Sequence, residues 1–326
     1  MVTGIPTQLI LFRGIGKKYD DENNDKTRYI KSYRKREKRD GLNKEMKQEQ
    51  LQERTFDEKK TAYFSELALG VLSAMRLHKK PGLLWERNKK GQRDWGNISE
   101  HCLTELARLK VLAGKLRLSE EAERNGELGA ALHDFDKRSE ILAMKGAIQR
   151  GESGREASIA ADEEGERQLR EAGFSNEVVV LAGCTGGKPP QLFEIARILG
   201  KENLTDHEIA LLVLHYIDGY TLDDKWAESA MRAEDGSILN DVDRRMQKNL
   251  ENPTYRKQAE ELAYAYDENP LLRGRGPHEN EAMVCHEIEK KLAEIIASRT
   301  GEKIDPLELP EIVDLEIKKK IEETEI

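Results

Sequence analysis

The sequence predicts an all-α protein, and three observations support this. Apolar residues recur at intervals of three and four from residue 61 onward, beginning with Phe64, Leu67 and Val71, which is the spacing of one buried helical face. Capping residues recur between the apolar stretches. No alternation of apolar and polar residues is long enough to need a sheet, and the β-like run Val178–Val180 fits a short helix better. We therefore expect a bundle of helices.

Individual helices are bounded by capping residues, glycines and prolines. Asn97 and Glu100 match a variant of the capping box, and Thr205 and Glu208 match another. In this motif the two side chains satisfy free backbone amides at the start of a helix. One helix therefore begins near Asn97. Further helices are predicted at Ser119–Ala147, Ala160–Ala172, Asn176–Ala182, Pro190–Leu199, Asp206–Tyr220, Asp241–Asp267 and Met283–Ala297.

The composition is that of an ordered protein with a heavily charged surface. Of 326 residues, 36% are charged and 37% are hydrophobic, which is enough apolar material for a sizeable core. The net charge of −8 argues against a molecule that binds nucleic acid over its whole surface. No run of about eighteen apolar residues is present, and the first residues lack the cationic start of a secretory signal. We expect no membrane span and a cytoplasmic location.

The composition changes along the chain and predicts three parts. Residues 1–60 form a basic, partly mobile helical arm, residues 61–232 form the helical core, and residues 233–326 form a C-terminal helical appendage. In the arm, six of the nine residues Lys31–Arg39 are basic, and Tyr29 and Tyr33 lie among these charges. A solvated arm is one interpretation. The other is a contact surface for nucleic acid or an acidic partner, with the tyrosines stacking on bases.

Four residues with metal-ligating side chains stand out in the predicted core. His101, the dipeptide His133-Asp134 and Asp218 fall on three separate predicted helices whose neighbouring positions are largely apolar. A divalent cation bound by imidazole and carboxylate needs such donors to converge from several segments. A buried ionised aspartate is also costly unless a metal or a charged neighbour compensates it. Any one histidine is more often an ordinary core or surface residue, so the order and context of the set carry the prediction.

The segments 98–107, 128–137 and 211–218 carry His101, His133-Asp134 and Asp218 in order. Together they resemble the H…HD…D signature of the HD-domain metal-dependent phosphohydrolases. Residues 169–179 also look like the inter-helix turn of that family, so the resemblance covers about Asn97 to Thr221. It implies an HD-domain-like helical bundle in which these four residues bind one divalent metal ion, such as Mn, Co, Ni, Mg, Fe or Zn. That ion would act as a Lewis acid and activate a water for phosphate ester hydrolysis.

The resemblance also implies roles for residues beside the predicted metal. Asp134 and Lys137 are expected to be catalytic, with the Lys137 ammonium on a phosphate oxygen. The alternative is a solvated lysine paired with Asp136 or Glu140. Some family members carry a glutamate at this position as the general base, so the base stays open in this chain, with Glu105 and Asp136 as candidates.

Two more residues are candidates for substrate contact. His215, on the helix of Asp218, can face substrate or hydrogen-bond a metal ligand. Lys188 ends the stretch Gly183–Lys188, which can present amides to phosphate before a helix or be a plain inter-helix loop. Binuclear branches of the family add two histidines between the His-Asp pair and the last aspartate. Here the only histidines in that interval are His207 and His215, both on the final helix, so we expect a single metal. The alternative is that Asp162, Glu163 or Glu164 substitutes for the missing histidines.

These residues predict a metal-dependent phosphohydrolase, either a phosphomonoesterase or a phosphodiesterase. Its substrate would be small and phosphorylated, with nucleotides as the leading class. The alternative is a catalytically silent HD-fold module that binds nucleic acid or an acidic partner through residues 1–60. A lyase or oxygenase on the same fold is a third interpretation, and a homo-oligomer is compatible with each of them.

Overall fold

The structure is a computed structural model that describes residues 52, 55–78, 97–221, 242–251, 253, 256, 259–260 and 265–326. The chain divides into two compact units, Met1–Glu58 and Lys59–Ile326. Of the first unit, residues 52 and 55–58 are described and are helical. The basic stretch Lys31–Arg39 lies outside the described residues. So does the predicted boundary between residues 232 and 233, and the division into three parts stays a prediction.

The described part of the second unit is helical throughout and contains no strand, which confirms the all-α fold class. No helix in this part is long and apolar enough to cross a membrane. The helices, in chain order, are α1 (59–70), α2 (Leu72–Met75), α3 (Asn97–Leu116), α4 (Glu120–Leu132), α5 (Lys137–Gln149), α6 (Gly154–Glu171), α7 (Asn176–Ala182), α8 (Pro189–Leu199), α9 (Asp206–Tyr220), α10 (Val242–Glu251), α11 (Pro277–Thr300) and α12 (Leu309–Glu323), with a 3-10 turn at Pro306–Glu308 before α12.

Serine and threonine caps start several of these helices. Ser119, Ser153 and Ser175 each accept a hydrogen bond from the backbone amide three residues later, which satisfies one of the free amides of a helix start. Thr205 and Glu208 form the predicted capping box of α9. The cap at Ser153 explains why α6 begins at Gly154, earlier than the Ala160 predicted from apolar spacing.

Helix α9 lies at the centre of the core. Its residues Ile209 to Tyr220 are all buried, and α3, α4, α7, α8, α10 and α11 pack against it. Helix α4 approaches α7 and α9 closely because Gly129 has no side chain. A Cβ at Gly129 would lie 2.8 Å from Leu181 Cβ and 3.0 Å from Leu214 Cδ1. The side chains of α9 are therefore packed against these six helices. The last turn of α9, which carries Asp218, is part of this packed core.

The predicted single helix Ser119–Ala147 is wrong, because the structure divides it into α4 and α5. Residues 133–136 form a turn between the two helices, in which the amide of Lys137 donates to the carbonyl of Asp134 at 3.0 Å. The sequence pattern missed this turn because residues 133–136 contain neither glycine nor proline. The dipeptide His133-Asp134 thus lies in an inter-helix turn and not in the middle of a helix.

Two histidines stabilise the end of α4 at this turn. The last carbonyls of a helix have no intrahelical donor. The carbonyl of Ala130 lies 2.9 Å from His133 Nδ1, and that of Ala131 lies 2.7 Å from His78 Nε2. The ring of His78 is also 3.1 Å from Ser99 Oγ on α3. The imidazoles therefore replace the backbone donors that a continuous helix would have supplied.

The C-terminal helices belong to the same compact unit as the core. Helix α11 packs against α3, α8, α9 and α10, and α12 packs against α3. Residues 242–251, 253, 256, 259 and 260 are helical, as the prediction of Asp241–Asp267 required, but residues 265–268 form a turn. The predicted helix Met283–Ala297 is confirmed and lies within α11.

Candidate metal centre

The turn after α4 faces α3 and the end of α9, and this brings the predicted ligands together. His101 lies in the second turn of α3, His133 and Asp134 lie in the turn, and Asp218 lies in the last turn of α9. Their side chains are 11%, 1%, 19% and 9% exposed, respectively. Three segments that are far apart in the sequence therefore place four candidate ligands in one largely buried location.

The distances between donor atoms fit a single cation. His101 Nε2 lies 3.6 Å from Asp218 Oδ1 and 4.0 Å from Asp134 Oδ2. His133 Nε2 lies 3.8 Å from the same oxygen of Asp134. A metal bound at about 2.0–2.2 Å from each ligand atom needs donors spaced roughly 3–4 Å apart.

Glu105 joins this group, one turn after His101 on α3. Its side chain is completely buried, with Oε1 at 2.9 Å from His101 Nε2 and Oε2 at 3.4 Å from His133 Nδ1. Neither oxygen receives a hydrogen bond within the described part of the chain. Ligand atoms of His101, Glu105, His133 and Asp218 all lie within 4.8 Å of one another. A buried cluster of two histidines and two acidic residues can therefore hold a metal ion, with Asp134 beside it.

The ring of His133 is oriented as a metal-ligating imidazole would be. Its Nδ1 faces the carbonyl of Ala130, and so carries the proton when the ring is neutral. Its buried Nε2 has no hydrogen-bond partner among the described residues. Metal-binding histidines commonly direct the other ring nitrogen to a backbone carbonyl in this way. The side chain of His133 is therefore arranged so that its Nε2 atom can bind a metal ion.

The raised pKa values of the two histidines also indicate that the cluster favours a bound cation. Burial lowers the pKa of the two histidines, but the neighbouring carboxylates, Glu105 foremost, outweigh it. They raise the pKa of His101 to about 10 and that of His133 well above its usual range. Such imidazoles bind a proton tightly because the surrounding carboxylates favour a cation. A divalent metal offers the same compensation.

Arg245 contributes a positive charge from α10. Its Nη2 donates to Asp218 Oδ1 at 2.9 Å, and its Nη1 donates to the carbonyl of Thr221 at 2.7 Å. Burial raises the pKa of Asp218, but the guanidinium and then the nearby imidazole of His101, 3.6 Å away, hold it well below the usual range. Asp218 is therefore ionised and fixed in orientation. Sequence reasoning missed Arg245 because nothing in a polar helix signals contact with a site 27 residues earlier.

A cavity of about 1210 Å³ opens beside the cluster, and two lysines line it with the ligands. Lys137 Nζ lies 3.3 Å from Asp134 Oδ1 and 3.3 Å from Glu140 Oε2. Lys188 Nζ donates to Glu140 Oε1 at 3.0 Å and also pairs with Asp162. Lys137 thus makes the expected ion pair with Glu140 and also lies in the cavity. Lys137 Nζ is therefore held beside the candidate ligand Asp134, and Lys188 Nζ is held at the other oxygen of Glu140.

Other candidate residues have different placements. His215 is 1% exposed and is not among the residues that line the cavity; its Nδ1 lies 2.8 Å from the carbonyl of Cys184, which does line it. Asp136 lines the cavity at the start of α5. Asp162 is the ion-pair partner of Lys188. No second cluster of metal-ligating side chains occurs among the described residues.

Comparisons with known proteins add no assignment. No family model matches the chain, and no curated protein or solved structure gives a significant match. The functional argument therefore depends on the geometry of the cluster and of its cavity.

Proposed function

We propose that the protein is a metal-dependent phosphohydrolase of the HD type, which hydrolyses a phosphate ester, with nucleotides as the leading substrate class. The observation that carries the proposal is the convergence of His101, Glu105, His133 and Asp218 within 4.8 Å. The order of His101, His133-Asp134 and Asp218 along the chain supports the family, because it resembles the H…HD…D signature.

The proposed ligands are His101, His133, Asp134 and Asp218, with Glu105 as a fifth donor. A divalent ion bound by these residues would polarise a phosphoryl oxygen and lower the pKa of a water molecule. Three carboxylates, Glu105, Asp134 and Asp218, face two permanently charged cationic side chains, Lys137 and Arg245. The raised pKa of both histidines reflects the remaining negative charge, and a divalent cation that displaces the imidazole protons would compensate the same charge.

The residues beside the cluster bind and orient the substrate in this proposal. Lys137 and Lys188 line the cavity and offer ammonium groups to phosphate oxygens. Both are held by Glu140, so their positions are fixed before substrate enters. Pre-positioned charges lower the cost of organising the reacting groups. Burial of the cluster limits the access of bulk water.

Metal binding tests the proposal first. Purified wild-type protein, stripped with chelator and reloaded, should bind close to one equivalent of Mn²⁺, Co²⁺ or Ni²⁺ by elemental analysis. His133→Ala and Asp134→Ala should each weaken binding at least tenfold, since each removes a donor atom. His207→Ala is a matched control, because this histidine is on α9 but does not line the cavity. Wild-type binding in the His133→Ala protein would contradict the site.

Activity tests the reaction. The metal-loaded protein should release phosphate from, or cleave, members of a panel of nucleoside monophosphates, nucleotides and sugar phosphates. Lys137→Met should lower kcat/KM by roughly 10²-fold or more, because one charged contact to the transition state is lost. A stoichiometric metal without turnover on any member of the panel with Mn²⁺, Co²⁺, Ni²⁺ or Mg²⁺ would favour the catalytically silent module instead.

A further inference from the structure

Glu281 is a buried carboxylate that accepts no hydrogen bond from the described residues. It lies on α11 and lines the cavity, with its side chain 7% exposed. The nearest cationic atom in an ion pair with it is His278 Nδ1 at 3.9 Å, which is too far for a hydrogen bond. It also packs against Gly187, where an added Cβ would lie 2.7 Å from Glu281 Oε2. Gly187 thus leaves room for the carboxylate at the cavity wall.

Two other polar side chains that line this cavity carry unsatisfied atoms. Both ring nitrogens of His278 and the Oε1 atom of Gln191 are buried without a hydrogen bond among the described residues, and both residues line the same cavity. Buried polar atoms are nearly always hydrogen-bonded in folded proteins, and exceptions often mark a site whose partner is a ligand. Gln191 and His278 have such atoms, and Glu281 lines the same cavity without a hydrogen bond from the described residues, so the three call for a common explanation.

Glu289, two turns further along α11, shows what a structural glutamate looks like in this helix. Its side chain is 5% exposed, yet Tyr216 Oη donates to its Oε1 at 3.0 Å, and His286 Nδ1 lies 2.9 Å from its Oε2. Glu281 is equally buried, but no described residue donates a hydrogen bond to it. Arg245 lies close enough to interact with the charge of Glu281, but its hydrogen bonds go to Asp218 and Thr221.

We propose that Gln191, His278 and Glu281 form a recognition subsite for an N–H-bearing group of the substrate. Glu281 and Gln191 Oε1 offer acceptors, so the matching group presents donors, as the amino and imide edge of a nucleobase or an ammonium group does. The subsite rests on the proposed function only in assuming that the same ligand carries a phosphate. It lies in the cavity that the candidate metal centre and both lysines line.

The stability of the ligand-free protein tests whether Glu281 stabilises the fold. Glu281→Gln removes a charge that has no hydrogen bond, so the thermal midpoint should stay the same or rise, as is common when a residue is kept for binding and not for stability. Glu289→Gln, the matched control on α11, removes a charge that is bonded on both oxygens and should lower the midpoint. A midpoint that falls as far in Glu281→Gln as in Glu289→Gln overturns the subsite.

Ligand binding tests the chemistry, using two pairs of probes that differ by one amino group. The pairs are guanosine monophosphate with inosine monophosphate, and glucosamine 6-phosphate with glucose 6-phosphate. We expect the full-length protein to bind the amino-bearing member of one pair at least about tenfold more tightly by calorimetry, and Glu281→Gln to abolish that preference. A preference within the nucleotide pair would identify a base edge as the recognised group, and a preference within the sugar phosphate pair would identify an ammonium group.

Binding is measured with chelator present, so that the result does not depend on hydrolysis. Equal affinity within both pairs, or a preference that survives in Glu281→Gln, overturns the subsite. A preference that depends on Glu281 in a protein without hydrolytic activity supports the subsite and counts against the hydrolase. Hydrolysis of the probes without such a preference overturns the subsite alone.

Discussion

Glu140 organises the cationic side of the cavity through one carboxylate. Its oxygens lie 3.3 Å from Lys137 Nζ and 3.0 Å from Lys188 Nζ, and Ser158 Oγ donates to it at 2.6 Å. Burial raises the pKa of Glu140, but Lys137 and then Lys188 outweigh it and hold the pKa at about 2. The residue therefore stabilises the fold and also fixes two proposed phosphate-binding lysines.

Glu140→Gln should lower the free energy of unfolding by roughly 2 kcal/mol at pH 7, since it removes charge-assisted hydrogen bonds from a side chain that is 13% exposed. A depressed pKa contributes stability above the unfolded value near 4.5, and this is lost as pH falls through about 2. The difference between wild type and variant should therefore shrink below pH 4.5. Urea denaturation at pH 7, 4 and 3 measures it.

Glu152→Gln is the control for this series, because Glu152 pairs with Arg150 at the surface, where its side chain is 54% exposed. Little change in stability is expected there at any of the three pH values, since surface ion pairs contribute little. A loss of stability in Glu140→Gln that is equally large at pH 7 and pH 3 would show that packing, and not charge, explains the effect.

At the scale of elements, the turn between α4 and α5 depends on how closely α4 approaches its neighbours. Gly129 allows α4 to lie against α7 and α9, with Leu181 and Leu214 next to it. The carbonyl of Ala130, one residue later, holds the ring of His133. The position of the candidate ligand therefore depends on the packing of a helix end, which couples the fold to the site.

Gly129→Ala should destabilise the protein by about 1–3 kcal/mol, because the new methyl group lies 2.8 Å from Leu181 Cβ and the backbone must shift. It should also weaken metal binding, since the shift moves the end of α4. Denaturation and metal titration of the same variant check both expectations.

Gly114→Ala is the matched control on α3. Nothing lies within 4 Å of a Cβ at Gly114, so alanine should stabilise the helix by about 0.5–1 kcal/mol through its higher helix propensity. Unchanged metal binding is expected. A Gly129→Ala protein as stable as wild type would show that α4 can move away from α7 without cost.

At the scale of the whole molecule, a buried ion pair joins α3 to the last helix, α12. Arg108 on α3 donates from Nε and Nη2 to the two carboxylate oxygens of Asp314 on α12, at 2.9 and 2.8 Å, with both side chains fully buried. Its guanidinium also lies 4.4 Å from the ring centroid of Tyr220 and donates to Thr221 Oγ1. Because Arg245 donates to the carbonyl of Thr221, this network reaches the candidate metal centre.

Arg108→Met should cost about 3–5 kcal/mol of stability, because the buried carboxylate of Asp314 loses both hydrogen bonds from the guanidinium. The double variant Arg108→Met with Asp314→Leu should be more stable than Arg108→Met alone, since no buried charge then remains. A double-mutant cycle by denaturation measures the coupling. Additive losses would show that the two side chains stabilise the fold independently.

Apolar spacing and caps predicted much of the fold without tertiary information. Helices Asn176–Ala182 and Asp206–Tyr220 were predicted with the bounds that the structure has, because each begins at a serine or threonine cap and ends at a clear break in the pattern. The turn at residues 133–136 was not predictable in this way, because it contains neither glycine nor proline and is stabilised by imidazole bonds to helix carbonyls.

The sequence by itself determined the all-α class, most helix starts, and the ordered set of His101, His133-Asp134 and Asp218, because local propensity and spacing act along the chain. Only the tertiary structure decided which side chains complete the site. Glu105 joins the cluster from α3, and Arg245 and Glu281 line the cavity from α10 and α11, because the helices pack together. Their roles depend on burial and on partners distant in sequence, and these exist only once the helices pack around α9.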